Sequence, residues 1–234
     1  ADDEDIVMDI NFKVKAGQTV GIIGSTGSGK STLMNLLCRF YDTTSGEVLI
    51  DGVNVKDRDL YNMRDNIGMA MQDVFLFSDT IEGNIAYGRP NCSFEDVKKA
   101  AIMADANHFI MSTSDGYDTI VGERGIGLSG GQKQRISLAR ALLKDPSILI
   151  LDDTTSAVDM ETESYIQNQL KSIKKDCTKF IIAYRISSIK DADLILVMDN
   201  GRIIEQGTHD ELVAMGGYYA QAFRNQYGEI PYDL

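Results

Sequence analysis

The chain has 234 residues, 43% hydrophobic and 25% charged, a composition that supports a sizeable core and excludes disordered and fibrous classes. At about 150 residues per domain, the length allows one large domain or two small ones. A net charge of −12, from 23 basic and 35 acidic residues, argues against a sequence-independent grip on nucleic acid or anionic lipid. No apolar run is longer than Leu194 to Met198, far short of the roughly 20 residues that span a bilayer, so no direct membrane insertion is expected. Ala1 to Asp5 are mostly acidic, the reverse of a secretory leader. The three cysteines, Cys38, Cys92 and Cys177, are odd in number and far apart, which disfavours a disulfide framework or a metal knuckle and suits a reducing cytosol.

Along the chain, Ile10 to Val14 reads as a strand and Thr19 to Gly24 as a second one. A glycine-rich loop follows, then an apolar helical run with Leu33, Leu36, Leu37 and Phe40. Asp51-Gly52 and Asn200-Gly201, each between short apolar runs, predict tight antiparallel hairpins. From Ser93 to about Leu143 the pattern is helical, opening with Ser93 and Asp96 in capping-box spacing. Ile148 to Leu151, Phe180 to Ala183 and Leu194 to Met198 are short and fully apolar, as strands covered on both faces of a parallel sheet are. Thr208 and Glu211 form a second capping box, and Gly216-Gly217 separates a short helix from a final one at Tyr218 to Tyr227. Lys133, Arg135 and Lys144 read as a solvated face, and His108 and His209 as surface or packing residues. The sum is an α/β core with a parallel sheet that carries a helical insert.

The chemistry begins at Gly24-Ser25-Thr26-Gly27-Ser28-Gly29-Lys30-Ser31-Thr32, which matches the phosphate-loop pattern G-x-x-x-x-G-K-[ST] between a strand and a helix. Glycines at 24, 27 and 29 let backbone N–H groups turn inward around phosphate oxygens, and a helix starting near Lys30 adds its positive end. Lys30 is expected to reach the β- and γ-phosphates, and the Ser31 hydroxyl to ligate Mg²⁺. A second apolar strand, Ile148 to Leu151, stops on Asp152 and Asp153. A carboxylate there suits Mg²⁺ opposite the phosphate loop.

Leu128-Ser129-Gly130-Gly131-Gln132 opens a long helix through Leu143 and makes another anion-binding N-terminus. With the phosphate loop already present, a second such device implies a shared nucleotide. These residues together closely resemble the ATPase domain of ATP-binding cassette (ABC) transporters, over nearly the whole chain. The resemblance implies a P-loop NTPase (RecA-like) core with an N-terminal antiparallel β subdomain. It implies one domain over residues 1–234, in which 1–75 and 145–234 form the core and 76–144 a helical subdomain. It also implies bound ATP and Mg²⁺, with ATP sandwiched between the phosphate loop of one domain and the LSGGQ of a homologous partner.

Gln72, after Ile67-Gly68-Met69-Ala70-Met71, matches the family's Q-loop, which touches Mg²⁺ and the transmembrane partner. Ser156-Ala157-Val158-Asp159 resembles the D-loop that runs across the dimer. Thr119 to Gly125, Phe75-Leu76-Phe77-Ser78 and Asn84-Ile85 resemble the exporter branch. The chain is therefore expected to be the energising part of an exporter at the cytoplasmic face of the cell membrane. Its transmembrane domains are expected upstream in the same full-length protein. No aromatic occurs in residues 1–11 to stack on adenine as the family's does.

Two positions depart from the family. Asp153 stands where a Glu general base orients the attacking water, and Tyr184 stands where a His contacts the γ-phosphate. A phenol donates a hydrogen bond but brings no positive charge at neutral pH. The expected arrangement is a heterodimer in which this chain's own loop hydrolyses poorly while its LSGGQ completes the partner's competent site. Three alternatives are a symmetric dimer in which Asp153 is a working base, an ATP-gated regulatory clamp that never hydrolyses, and a soluble ABC ATPase outside transport.

Overall fold

The computed structural model describes residues 6–122, 125, 127–173 and 176–228, and the chain divides into two compact units, residues 1–60 with 178–234 and residues 61–177.

In the first unit, four strands lie in the order Arg202–Gly207, Leu194–Asp199, Thr19–Gly24, Thr178–Ile182. The last three run parallel, with Ile22 opposite Ile182 on one side and Leu196 on the other, and Arg202–Gly207 returns antiparallel. Val20, Ile22, Ile195, Leu196 and Val197 are fully buried, as strands without a solvent face must be. Both predicted hairpins form. Asp51 and Gly52 have φ of 50° and 75°, and Asn200 and Gly201 have φ of 45° and 75°, the positive pair that a two-residue turn between right-twisted strands requires. The antiparallel β portion ahead of residue 60 is, among the described residues, the hairpin Leu49–Ile50 and Val53–Asn54. Residues 10–14 alternate between half-buried and exposed but are not a strand. Alternation reports a half-covered extended segment, and a strand needs ladder partners as well.

The second unit pairs strand Ile67–Ala70 in parallel with Ile148–Asp152, Ala70 facing Leu151. The fourteen-residue helix Gly130–Leu143 packs on that strand pair and on helices Ile81–Ala86 and Phe94–Met103. Ile136, Leu138 and Ala139 are buried completely. The helical stretch expected from Ser93 onward is interrupted. Residues 112–129 hold a 3₁₀ turn at Gly116–Asp118 and a short strand, Ile120–Val121, paired with Asp79–Thr80. The Ser93–Asp96 and Thr208–Glu211 capping boxes are both present. Arg135 and Lys144 are not a solvated face. Arg135 pairs with Asp105 at 3.0 Å and lies over the Phe109 ring, and Lys144 Nζ donates to the Arg64 carbonyl at 2.9 Å. Long cationic side chains bury their stems and find oxygen partners at their tips.

Candidate functional site

In the first unit the register Ile22↔Ile182 leaves Gly24 and Tyr184 each two residues beyond a matched pair, at the carboxyl ends of neighbouring parallel strands. Open α/β sheets bind ligands at that end. Gly24 cannot carry a side chain, because a Cβ there would stand 2.1 Å from the Met198 carbonyl oxygen. The loop then climbs through an exposed tip, Ser25, Thr26 and Gly27, and returns to a buried Ser28 and Gly29. At Gly27 a Cβ would meet nothing within 4 Å, so the tip faces open space. Helix Lys30–Leu37 starts directly behind Gly29 without a side-chain cap, which leaves its first N–H groups directed at whatever enters the loop. Ser31 is exposed and Thr32 half-buried in its first turn.

Lys30 is only 6% exposed, and its ammonium donates to the Gly24 carbonyl at 3.0 Å, the Ser25 carbonyl at 2.7 Å and the Ser28 hydroxyl at 3.3 Å. The same ammonium stands 5.4 Å from the centroid of the Tyr184 ring. The charge is thus folded into the mouth of the loop, where the Gly24 and Ser25 carbonyls, the Ser28 hydroxyl and the Tyr184 ring surround it. Ser25 Oγ donates to Asp199 at 3.4 Å, and Gly201 N–H donates to the Ser28 carbonyl at 3.2 Å. The Asn200-Gly201 hairpin therefore buttresses the loop.

In the second unit the register Ala70↔Leu151 sets Gln72 and Asp153 at the same carboxyl ends of their strands. Gln72 is exposed in a bend, whereas Asp152 and Asp153 are 4% and 8% exposed. Asp153 sits at φ 48°, a left-handed geometry that Asp tolerates better than most residues. Its carbonyl accepts from Ser156 Oγ at 3.0 Å and from Gln134 Nε2 at 3.3 Å.

Ser129 caps helix Gly130–Leu143 in a full capping box with Gln132, whose side-chain oxygen accepts from Ser129 N–H at 2.9 Å. Gly130 is exposed and Gly131 buried. A Cβ on Gly131 would come 2.7 Å from the Ala157 carbonyl, so this helix start is pressed onto the segment containing Ser156 and Asp159. Asp159 in turn caps helix Met160–Ser172, accepting from Thr162 N–H at 2.9 Å. That backbone hydrogen bond is the leading reason its carboxyl titrates below the usual range.

Gln134 was not singled out from the sequence, yet its buried amide binds three groups of the acidic-strand turn. Besides the Asp153 carbonyl, it donates to Ser156 Oγ at 3.2 Å and accepts from Ala157 N–H at 3.2 Å. Flanked by Gln132, Lys133 and Arg135 in helix Gly130–Leu143, Gln134 carries no signal in the sequence that sets it apart. Gln226, on the final helix, was missed as well. In the exporter-like loops, Asn84 exchanges hydrogen bonds with the Phe77 backbone, and Arg140 donates to the Asn84 and Phe75 carbonyls. Glu123 and Arg124 of the third such loop lie outside the described residues.

A family model described as ABC transporter matches residues 7–156. YgaD of Bacillus subtilis (strain 168), an ATP-binding/permease protein named for multidrug export, is 52% identical over 225 residues, covering 96% of this chain and 39% of its own length. YknU of the same organism, an uncharacterized ABC transporter ATP-binding protein, is 54% identical over 221 residues, covering 94% of this chain and 38% of its own. The structure of a bacterial Atm1-family ABC exporter with ATP bound superposes with a TM-score of 0.94 at 44% identity, over 98% of this chain and 40% of that one. The chain thus spans about two fifths of the length of these relatives.

Proposed function

The chain belongs to the ATP-binding domains of the ABC transporter family, and from that premise we propose that it binds ATP at Gly24 to Thr32 and closes head-to-tail on a homologous domain to drive an exporter. The observation that carries this reading is the Lys30 ammonium, buried in the loop mouth on three neutral oxygens. A phosphate oxygen that reaches this ammonium makes a charge-assisted hydrogen bond, roughly twice as strong as a neutral one. The uncapped N–H groups at the start of helix Lys30–Leu37 receive the remaining phosphate oxygens. The Ser31 hydroxyl, the Gln72 amide oxygen and the Asp152 carboxylate, the positions that match the family's Mg²⁺ contacts, are each hard oxygen donors, the type Mg²⁺ selects. Mg²⁺ would supply charge neutralisation on the β- and γ-phosphates.

Ser129, Gly130, Gly131 and Gln132 present the positive end of the signature helix toward the partner's γ-phosphate, with Asp159 on the adjoining loop. ATP is then the closing ligand, because it touches both domains in the closed state alone. The relatives named as ATP-binding/permease and exporter proteins support transmembrane domains in the same full-length protein, with this domain at the cytoplasmic face of the membrane.

The two departures shape the division of labour. The Asp153 carboxylate falls short of a Glu by one methylene, about 1.5 Å. Its backbone is held by Ser156 and Gln134, so the chain does not advance to close the gap. Misplacement of this size costs on the order of a hundredfold in rate. This supports a weakly hydrolysing loop here, paired in a heterodimer with a partner loop that this chain's LSGGQ completes. A pure ATP clamp is the second reading, favoured by the same two residues.

In the full-length protein, Ser129→Arg is expected to abolish ATP-driven domain closure, read by spin-label distances across the dimer, while ATP still photolabels this chain's own loop. Closure that survives Ser129→Arg would refute the shared-nucleotide reading.

A further inference from the structure

The final helix, Tyr218–Tyr227, is fastened to the first unit at both ends. At its start, both oxygens of the Glu205 carboxylate accept backbone hydrogen bonds, from Tyr218 N–H and from Tyr219 N–H, the latter at 3.0 Å. Within its first turn the completely buried Tyr219 bonds through its hydroxyl to His209 Nδ1 at 2.8 Å. At its far end the Gln226 amide spans two peptide groups of the segment that follows strand Thr178–Ile182. Gln226 Nε2 donates to the Tyr184 carbonyl at 2.7 Å, and Gln226 Oε1 accepts from Ile186 N–H at 2.9 Å. One planar group therefore fixes the backbone on both sides of Arg185. Immediately behind it, Ile186 is fully buried, while the Tyr184 ring lies at the Lys30 ammonium.

Gln226 itself is exposed. It contributes nothing to the core, and its two hydrogen bonds act on one thing, the path of the chain from Tyr184 to Ile186. A tyrosine that is to meet a phosphate at the loop needs that path fixed, because its own side chain is 40% exposed and open to other rotamers.

We propose that Gln226 is a positioning residue, whose amide sets the backbone at Tyr184 and Ile186 so that the Tyr184 phenol is held at the phosphate loop to donate to the γ-phosphate of ATP. The proposal rests on the reading of Tyr184 as the γ-phosphate contact. It makes the last helix part of nucleotide discrimination, since a contact to the third phosphate favours ATP over ADP and leaves ADP binding alone.

The experiment uses the full-length protein, photolabelled on this chain with 8-azido-ATP in the cold and competed with ATP or ADP. The variants are Gln226→Leu, Gln226→Glu, Tyr184→Phe and the Gln226→Leu/Tyr184→Phe double variant. Gln226→Leu is expected to weaken ATP competition about three- to tenfold, the worth of one or two ordinary hydrogen bonds, with ADP competition unchanged. Gln226→Glu keeps the acceptor for Ile186 N–H but turns an oxygen toward the Tyr184 carbonyl, so it should show the same selective loss. It decides the matter if Gln226→Leu folds poorly. Tyr184→Phe should match them, and the double variant should be no worse than Tyr184→Phe alone. If the double variant loses the product of the two single effects, or if ADP competition falls as much as ATP competition, Gln226 is merely structural and the positioning proposal falls while the Tyr184 reading stands. If Tyr184→Phe leaves ATP competition untouched, the Tyr184 reading itself falls and takes the proposal with it.

Discussion

The ammonium of Lys30 stands 5.4 Å from the centre of the Tyr184 ring, so Tyr184 holds the lysine of the glycine-rich loop through its aromatic face. A ring offers its negative quadrupole to a cation without competing for the hydrogen bonds that Lys30 makes to the Gly24 and Ser25 carbonyls and the Ser28 hydroxyl. A positively charged histidine at this place would repel the same ammonium.

Tyr184→Leu is accordingly expected to lower the stability of the unliganded protein by about 0.5–1 kcal/mol, the usual worth of a cation–π contact at a partly exposed site. Tyr184→Phe, which keeps the ring, should leave it unchanged. Urea midpoints of the two variants check this, and equal losses would show that the ring contact contributes nothing.

Lys30→Met removes the charge while keeping most of the buried stem. ATP affinity is expected to fall about ten- to hundredfold, since a hydrogen bond to a charged group is worth roughly 1.5–3 kcal/mol. Titration calorimetry with MgATP measures the loss. An affinity within twofold of the parent would separate the loop from nucleotide binding.

Gln134→Leu leaves the Asp153 carbonyl with Ser156 Oγ but takes from Ala157 N–H the acceptor it uses. An expected cost of about 1–3 kcal/mol in urea unfolding follows from desolvated groups left without partners. Amide exchange should speed at Ala157 and not in the core strand Ile148–Asp152. Uniform acceleration across the second unit would mean a general loss of stability instead of a local release.

The Asp159 cap carries a pH signature. Its folded carboxyl titrates below its ordinary value, first because Thr162 N–H donates to it. A depressed carboxyl contributes stability in full above its unfolded value near 4 and loses it as pH falls through the lower folded value. The stability gap between the parent and Asp159→Ala should therefore be largest near neutrality and shrink below about pH 4. A gap that grows on acidification would have the wrong sign.

The strand, loop and helix around Gly24 to Ser31 were legible from sequence because their signal is local: three glycines and Lys30 lie within eight positions, between an apolar strand and an apolar helix. The apolar runs Ile148 to Leu151, Phe180 to Ala183 and Leu194 to Met198 were legible as strands because burial on both faces leaves continuous apolar sequence, and the observed strands differ from them by one or two residues at their ends. Residues 10–14 misled, since their alternation records half-burial and says nothing about ladder partners. Gln134 and Gln226 were invisible for a different reason. Each acts on a turn 19 to 42 residues away, and a glutamine in a helix leaves no periodic trace of what its amide meets. Arg135 was misread because a charge in a helix looks solvated until its carboxylate, Asp105, folds against it.

The proposed division of labour between two nucleotide sites is tested most directly at Asp153. In the full-length protein under saturating MgATP, steady-state turnover should be nearly unaffected by Asp153→Asn. Asp153→Glu, by restoring the missing methylene, should add hydrolysis at this chain's own loop, read as labelled ADP released from that loop in single turnover. If Asp153→Asn instead abolishes turnover of the whole protein, this loop is a working catalytic site, and the proposed asymmetric pairing is wrong.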